Sequence, residues 1–281
     1  MLKIDSHQHF WHYHPVKDAW ITDDLQVIQR DFMPADVWPL MQQNDIAACV
    51  AIQADQSERE TDFLIALAEQ HTFIKGVVGW VDLQADNVKE RLACYSEMPV
   101  VKGFRHIVQG EADHRFMLGR QFIHGISLLN QYKFTYDLLI KPQHLTSAAE
   151  LVARFPDQRF VVDHIAKPQI KDQHISGWDK QIRSLATHPN VFCKISGMIT
   201  EADWSHHQPE HFAAYLDIVF SAFGASRVMF GSDWPVCNLA GGYDAALFVA
   251  DQYVSKLSIT EQQQFWSQNA INFYGLPVER A

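Results

Sequence analysis

The 281-residue chain predicts an α/β protein, a (β/α)8 TIM barrel with one domain spanning residues 1–281. Three observations carry that expectation. Eight short β-rich runs recur along the chain, helical patterns separate them, and no Gly/Ser-rich linker or change of composition divides the whole. Strands alternating with helices imply βα units and a parallel sheet. Eight such units in a chain of this length suit a closed barrel. An open doubly wound sheet is the alternative, but no GxGxxG follows the first strand.

The β-rich runs are LKIDSH (2–7), IAACVAIQ (46–53), FIKGVVGWV (73–81), VVKGFRHIV (100–108), FTYDLLI (134–140), RFVVDHIA (159–166), NVFCKIS (190–196) and RVMFGSD (227–233). Helical patterns fall at 35–45, 57–70, 86–97, 120–132, 145–155, 178–188 and 209–224, with two more at 243–257 and 260–275 after the eighth run. Ser57 followed by Glu60 has the spacing of a capping box. At the end of the first run, IDSHQHF places His7 and His9 two residues apart, which on a strand puts both on one face. On a regular strand Asp5 shares that face. A His-rich surface loop is the other reading, since His12 and His14 follow.

Composition excludes several classes. The formal charge of −10 and pI near 5.8 argue against nucleic acid and against an anionic membrane surface. No apolar run approaches the ~18–20 residues of a membrane-spanning helix. The first residues enter a strand at once, so no signal peptide is expected. Cys49, Cys94, Cys193 and Cys237 form no CxxC pair and read as reduced thiols, which points to a cytoplasmic protein. A homo-oligomer is compatible with the sequence.

A barrel makes the strand ends informative, because active sites in this architecture sit at the C-terminal ends of the strands. The first strand ends in His7 and His9, the fourth in Arg105 and His106, the fifth in Tyr136 and Asp137. The sixth ends in Asp163 and His164, and the eighth in Ser232 and Asp233. Any one of these could merely cap a loop; five on one rim point to a site.

With these residues in place, the chain resembles the amidohydrolase superfamily through D-x-H-x-H on the first strand, His164 on the sixth and Asp233 on the eighth. It is most similar to the sugar-lactonase branch, the L-fuconolactonase and L-rhamnonolactonase type proteins related to 2-pyrone-4,6-dicarboxylate lactonase. IDSHQHFW, VVGWVDLQA, VKGFRHIVQ, FVVDHIAKP, NVFCKISGMITEADW and MFGSDWPVC carry the resemblance over nearly the whole chain. Binuclear members of the superfamily use a carboxylated lysine on strand four and a histidine on strand five. Here strand five has no histidine, and Lys102 lies too early on strand four to bridge two metals. The resemblance implies a branch with metal-independent members, so no required cofactor is expected. One divalent ion, zinc or manganese, held by His7, His9, His164 and Asp233 is compatible with the ligand types.

Lactone hydrolysis needs a base for water, donors for the carbonyl and a proton for the leaving alkoxide. Asp233 is the candidate base, and His7, His9 and His164 the candidates for polarising the carbonyl. Arg105 offers a donor fork for an oxygen-rich ligand, although an ion pair with Asp163 or Asp137 would also account for it. His106, Tyr136, Trp11 and Trp204 complete the candidate substrate site, with His106 on the opposite face from Arg105 unless the strand curls. Trp20, Trp80 and Trp234 lie near the same rim. Trp38, Trp178 and Trp266 fall in helical patterns and read as core or interface, and His206 and His207 as a surface pair, with the edge of the pocket as the other reading. The expected function is opening of a small-molecule sugar lactone, without nucleic-acid or membrane partners. A metal-dependent amide hydrolase or decarboxylase and a non-catalytic sugar-acid-binding barrel are the alternatives.

Overall fold

The computed structural model describes residues 1–277. Eight parallel strands follow one another around the sheet in chain order: β1 Lys3–Gln8, β2 Ile46–Ile52, β3 Ile74–Gly79, β4 Val101–His106, β5 Thr135–Leu138, β6 Phe160–Val162, β7 Val191–Ile195 and β8 Val228–Phe230. Closure comes just past β8, where His9 N–H donates to Trp234 O at 2.7 Å and Asp233 N–H donates to His7 O at 2.8 Å. The structure is therefore a (β/α)8 barrel, as the strand count predicts.

Helices α1 Pro34–Gln43, α2 Glu58–Gln70, α3 Val88–Ser96, α4 Arg120–Leu129, α5 Leu145–Arg154, α6 Trp178–Ala186, α7 Glu210–Phe223 and α8 Gly242–Val254 fill the connections. Each buries one apolar stripe on the outside of the sheet, such as Phe122, Ile126 and Leu129 of α4. The pattern at 260–275 is not one helix: α9 Ile259–Gln263 and α10 Asn269–Tyr274 flank a wider π turn over Gln264–Gln268, whose Phe265 and Trp266 are buried. Ser57 caps α2 by accepting from Glu60 N–H at 3.2 Å. The expected reciprocal half of the box is absent, because the Glu60 carboxylate turns to accept Ala54 N–H instead.

Inside the barrel, Ile4, Ala48, Val50, Ile52, Val78, Val161 and Met229 form an apolar lower layer sealed by Ala270, Phe273, Tyr274 and Leu276. The C-terminal helix thus stoppers the N-terminal end and leaves the other end open for chemistry. Lys102 reaches toward this stopper, donating to Gly275 O at 3.2 Å. None of the four cysteines is in a disulfide. No helix among the described residues is long and apolar enough to cross a membrane.

One expectation about β1 is corrected. Asp5 lies opposite Cys49 but Gln8 lies opposite Ala51, so β1 carries one extra residue in this interval. Such a bulge reverses the side-chain parity. His7 and His9 face the barrel interior, whereas Asp5 faces outward and accepts from Tyr243 Oη at 3.0 Å and from Ser232 N–H at 2.9 Å.

Candidate active site

Asp233 is delivered by a left-handed residue (φ 60°) in the loop after β8. The outward Asp5 holds this loop through Ser232, whose hydroxyl donates to its other carboxylate oxygen at 2.6 Å. Burial pushes the Asp5 carboxyl up to about 6 although its hydrogen bonds oppose the shift. Two glycines let the rim close tightly. A Cβ at Gly231 would lie 2.6 Å from His7 Cβ, and one at Gly197 would lie 2.5 Å from His164 Nδ1.

Asp233 Oδ1 is ringed by three imidazole nitrogens: His9 Nε2 at 3.3 Å, His7 Nε2 at 3.8 Å and His164 Nε2 at 3.8 Å. All four residues are buried. Burial raises the Asp233 carboxyl, but His164, the His9 hydrogen bond and His7 outweigh it and hold the group below its ordinary range. Burial lowers His164 to about 4, so its imidazole is neutral near pH 7. His7 is likewise held well below its ordinary value by burial, with Asp163 opposing and Lys194 and His164 reinforcing the shift.

The outer nitrogens are also specified. His9 Nδ1 lies 2.8 Å from Ile52 O, an acceptor only, so Nδ1 carries the proton and Nε2 turns toward Asp233. His164 Nδ1 meets Ser196 Oγ at 2.9 Å. Two acceptors facing each other, His9 Nε2 and Asp233 Oδ1, require a proton or a cation between them. Metal–ligand bonds of ~2.0–2.1 Å place the corners of a tetrahedral zinc site about 3.3 Å apart. The observed separations are close to that, and ligand atoms of His7, His164 and Asp233 lie within 4.8 Å of one another. The residues therefore fit one divalent ion.

Directly beneath is a second polar layer, in which Arg105 makes the ion pair with Asp163 that the sequence allowed and Lys194 is the member sequence reasoning missed. Lys194, fully buried on β7, lies 2.6 Å from Asp137 Oδ2, 3.0 Å from Asp163 Oδ1 and 3.1 Å from His7 Nδ1. Arg105 Nη1 lies 3.0 Å from Asp163 Oδ2 and 3.3 Å from His7 Nε2, while Nη2 donates to Gln53 O. From the barrel floor Tyr274 Oη donates to Asp137 Oδ2 at 2.8 Å. Burial opposes ionisation of Asp163, but Lys194, His7 and Arg105 hold it well below the usual carboxylate range. A lysine in the apolar run FCKIS was the available signal, since buried lysines are nearly always paired.

Above Asp233 opens a cavity of about 390 Å³ lined by His9, Trp11, Trp20, Arg105, His164 and Asp233 together with Ile107, Leu139, Lys141 and Lys167. A larger groove of about 610 Å³ lies between residues 12–17 and α2 but contains none of the rim groups. The structure thus gathers His7, His9, His164, Asp233, Arg105 and Trp11. It does not bring His106, Tyr136 or Trp204 to the cavity. His106 lies on the outer face, stacked on Phe116 with Nε2 2.7 Å from Glu111. Tyr136, paired with the outward Phe104, packs among Phe122 and Phe160. Trp204 is 39% exposed and donates to Thr200 O. Trp80 sits beside His106, and Trp234 packs on Phe10 and Phe32. His206 is on the surface.

A barrel bearing a carboxylate ringed by imidazoles at its C-terminal rim has the architecture of the amidohydrolases. Residues 4–276 match the family described as Amidohydrolase, and the chain belongs to that family. Over 98% of its length it is 38% identical to an L-fucono-1,5-lactonase of Burkholderia multivorans, covering 97% of that protein. A second L-fucono-1,5-lactonase, from Burkholderia ambifaria, is 34% identical over 97% of this chain and 95% of its own. A crystal structure of a Burkholderia multivorans amidohydrolase with bound zinc superposes with a TM-score of 0.94 at 38% identity, covering 99% of this chain and all of that one (100%).

Proposed function

We propose that the protein opens a sugar lactone of the L-fucono-1,5-lactone kind to its sugar acid. The observation that carries this reading is the ionised Asp233 at the floor of a sugar-sized cavity, ringed by the imidazoles of His7, His9 and His164. The L-fuconolactonase relatives at 34–38% identity support the substrate class.

In this reading water adds to the lactone carbonyl carbon while Asp233 takes its proton. Arg105 and His164, both on the cavity wall, stabilise the charge that develops on the carbonyl oxygen. The bond from that carbon to the ring oxygen then breaks, and the Asp233 carboxyl returns its proton to the leaving alkoxide. Trp11 and Trp20 offer apolar faces to the sugar ring.

His7, His9, His164 and Asp233 would hold a divalent ion, which when bound supplies Lewis acidity and lowers the pKa of water. We read such an ion as optional. Both nitrogens of His7 already face cations, Lys194 at Nδ1 and Arg105 at Nε2, which weakens it as a ligand for a dication.

The test is an indicator assay on L-fucono-, L-rhamnono- and L-galactonolactones with chelated enzyme shown metal-free by elemental analysis. Turnover of at least one lactone, with most activity surviving chelation, is expected. Inactivity on the whole panel removes the lactonase reading. Inactivity reversed only by zinc or manganese makes the ion obligatory.

A further inference from the structure

Beside the central cavity lies a second, polar cleft of about 510 Å³, walled by His174, Trp178 and Gln181. Lys141 and Lys167 line both spaces and form the boundary between them. The central cavity alone falls in the range of small-ligand pockets, so the lateral cleft is not needed to hold a monosaccharide lactone.

The way Lys167 is delivered shows that its placement is built. After β6 four consecutive non-glycine residues adopt left-handed backbone: His164 (φ 53°), Ile165 (48°), Ala166 (61°) and Lys167 (50°). Such residues normally occur singly, because each one crowds its Cβ against the backbone. The turn is pinned by Lys167 N–H donating to His164 O at 2.7 Å and by Trp178 Nε1–H donating to Ile165 O at 2.9 Å. Ile165 and Ala166 are buried in the core, while His164 and Lys167 emerge on the cavity wall. Glu201 Oε1, 3.3 Å from Lys167 Nζ, steadies the arm. Lys141 has no carboxylate within ion-pair distance among the described residues.

The proposed reaction converts a neutral lactone to an anion in a cavity that already contains the Asp233 carboxylate. Two like charges in a confined, weakly screened space repel, and the nearest cations not committed to buried carboxylates are these two ammonium groups. We propose that Lys141 and Lys167 form a carboxylate-binding gate that draws the newly formed sugar acid from the central cavity toward the lateral cleft. The inference rests on the lactonase reading and extends it to product recognition. The gate prefers acid to lactone, so product inhibition should weaken as salt is raised.

Calorimetric binding of L-fuconate, the acid, and L-fucitol, the neutral polyol with the same hydroxyl pattern, tests it on wild type, Lys141→Gln, Lys167→Gln and Lys141→Arg. Each Gln variant should lose about ten-fold in L-fuconate affinity, the usual consequence of losing one charge-assisted hydrogen bond. That loss should exceed any change in L-fucitol affinity or lactone KM several-fold, and Lys141→Arg should restore acid binding. Equal losses for acid and polyol would show that the lysines read hydroxyls, and unchanged acid affinity would remove the gate altogether; either overturns the proposal. If Lys167→Gln misfolds because of its strained turn, the exposed Lys141 decides the matter alone. Wild-type failure on every lactone fells the underlying reading instead, and is seen without any variant.

Discussion

At the rim, one carboxylate meets three imidazoles; beneath it, two cations meet two carboxylates. The upper group is Asp233 with His7, His9 and His164, and the lower is Lys194 and Arg105 with Asp137 and Asp163. The upper ring sets a carboxylate held in its ionised form at the cavity floor, where a proton can be taken up. The lower layer balances its formal charges and touches the cavity only through Arg105. Buried charge in a barrel thus serves two ends: the ring presents a carboxylate to the cavity, and the layer pairs its charges away from it. His7 belongs to both, since Lys194 and Asp163 meet its inner nitrogen while Asp233 lies near its outer one.

The largest effect expected is on turnover. Asp233→Asn should lower kcat by ~10²–10⁴-fold, the range of a positioned acid–base group, with the circular dichroism spectrum and Tm close to wild type. Near-wild-type turnover in the Asn variant would make the ring structural and erase the contrast.

Lys194→Met should act on stability instead. It leaves Asp137 without its cation and Asp163 with Arg105 alone, and breaking a buried pair on one side costs about 3–5 kcal/mol. Urea unfolding measures the loss, and Lys194→Met combined with Asp137→Asn should recover part of it. A loss below about 1 kcal/mol would mean that the lower layer is not a supporting charge network.

Arg105→Lys probes the residue that spans both levels. A lysine keeps a charge near Asp163 but cannot reproduce a fork that also meets His7 and Gln53 O. A fall in kcat/KM of ~10–100-fold is expected, with stability changed much less than in Lys194→Met. Full activity would reduce Arg105 to a counter-ion.

How much of this was legible in the sequence follows from the range of the forces involved. All eight strands and the helices between them were readable, because burial on two faces imposes apolar runs such as IAACVAI and FVV whatever the neighbours. The rim residues His7, His9, His164 and Asp233 were readable from the barrel rule about strand ends. Asp5 was misplaced because a single-residue bulge in β1 flips parity, and a bulge depends on the partner strand rather than on local pattern. Lys194 was overlooked because its partners, Asp137 and Asp163, come from other strands and are assembled only by closure of the barrel. Tyr136 lies next to Asp137 in sequence, yet strand alternation sends one to the helix layer and the other to the interior.

A buried acid outside both groups gives the smallest effect and the cleanest control. Glu60, at the start of α2, is 5% exposed and accepts Ala54 N–H, but no cation lies within ion-pair distance of it among the described residues. Burial pushes its carboxyl from 4.5 up to about 7, with the Ala54 N–H and Lys17 opposing. The folded protein therefore holds this proton more tightly than the unfolded chain, so stability is lost as pH rises from 4.5 through 7. At 1.36 kcal/mol per pKa unit the full cost at pH 8 is about 3 kcal/mol. Glu60→Gln removes the ionisation yet still buries an amide at a cost of about 2 kcal/mol, so a net gain of about 1 kcal/mol at pH 8 is expected, turning into a net loss of about 2 kcal/mol near pH 4. Paired urea titrations at the two pH values measure it. A gain that stays constant with pH would trace to packing, whereas a pH-dependent gain shows what Asp137 and Asp163 would cost the barrel if Lys194 and Arg105 were not beside them.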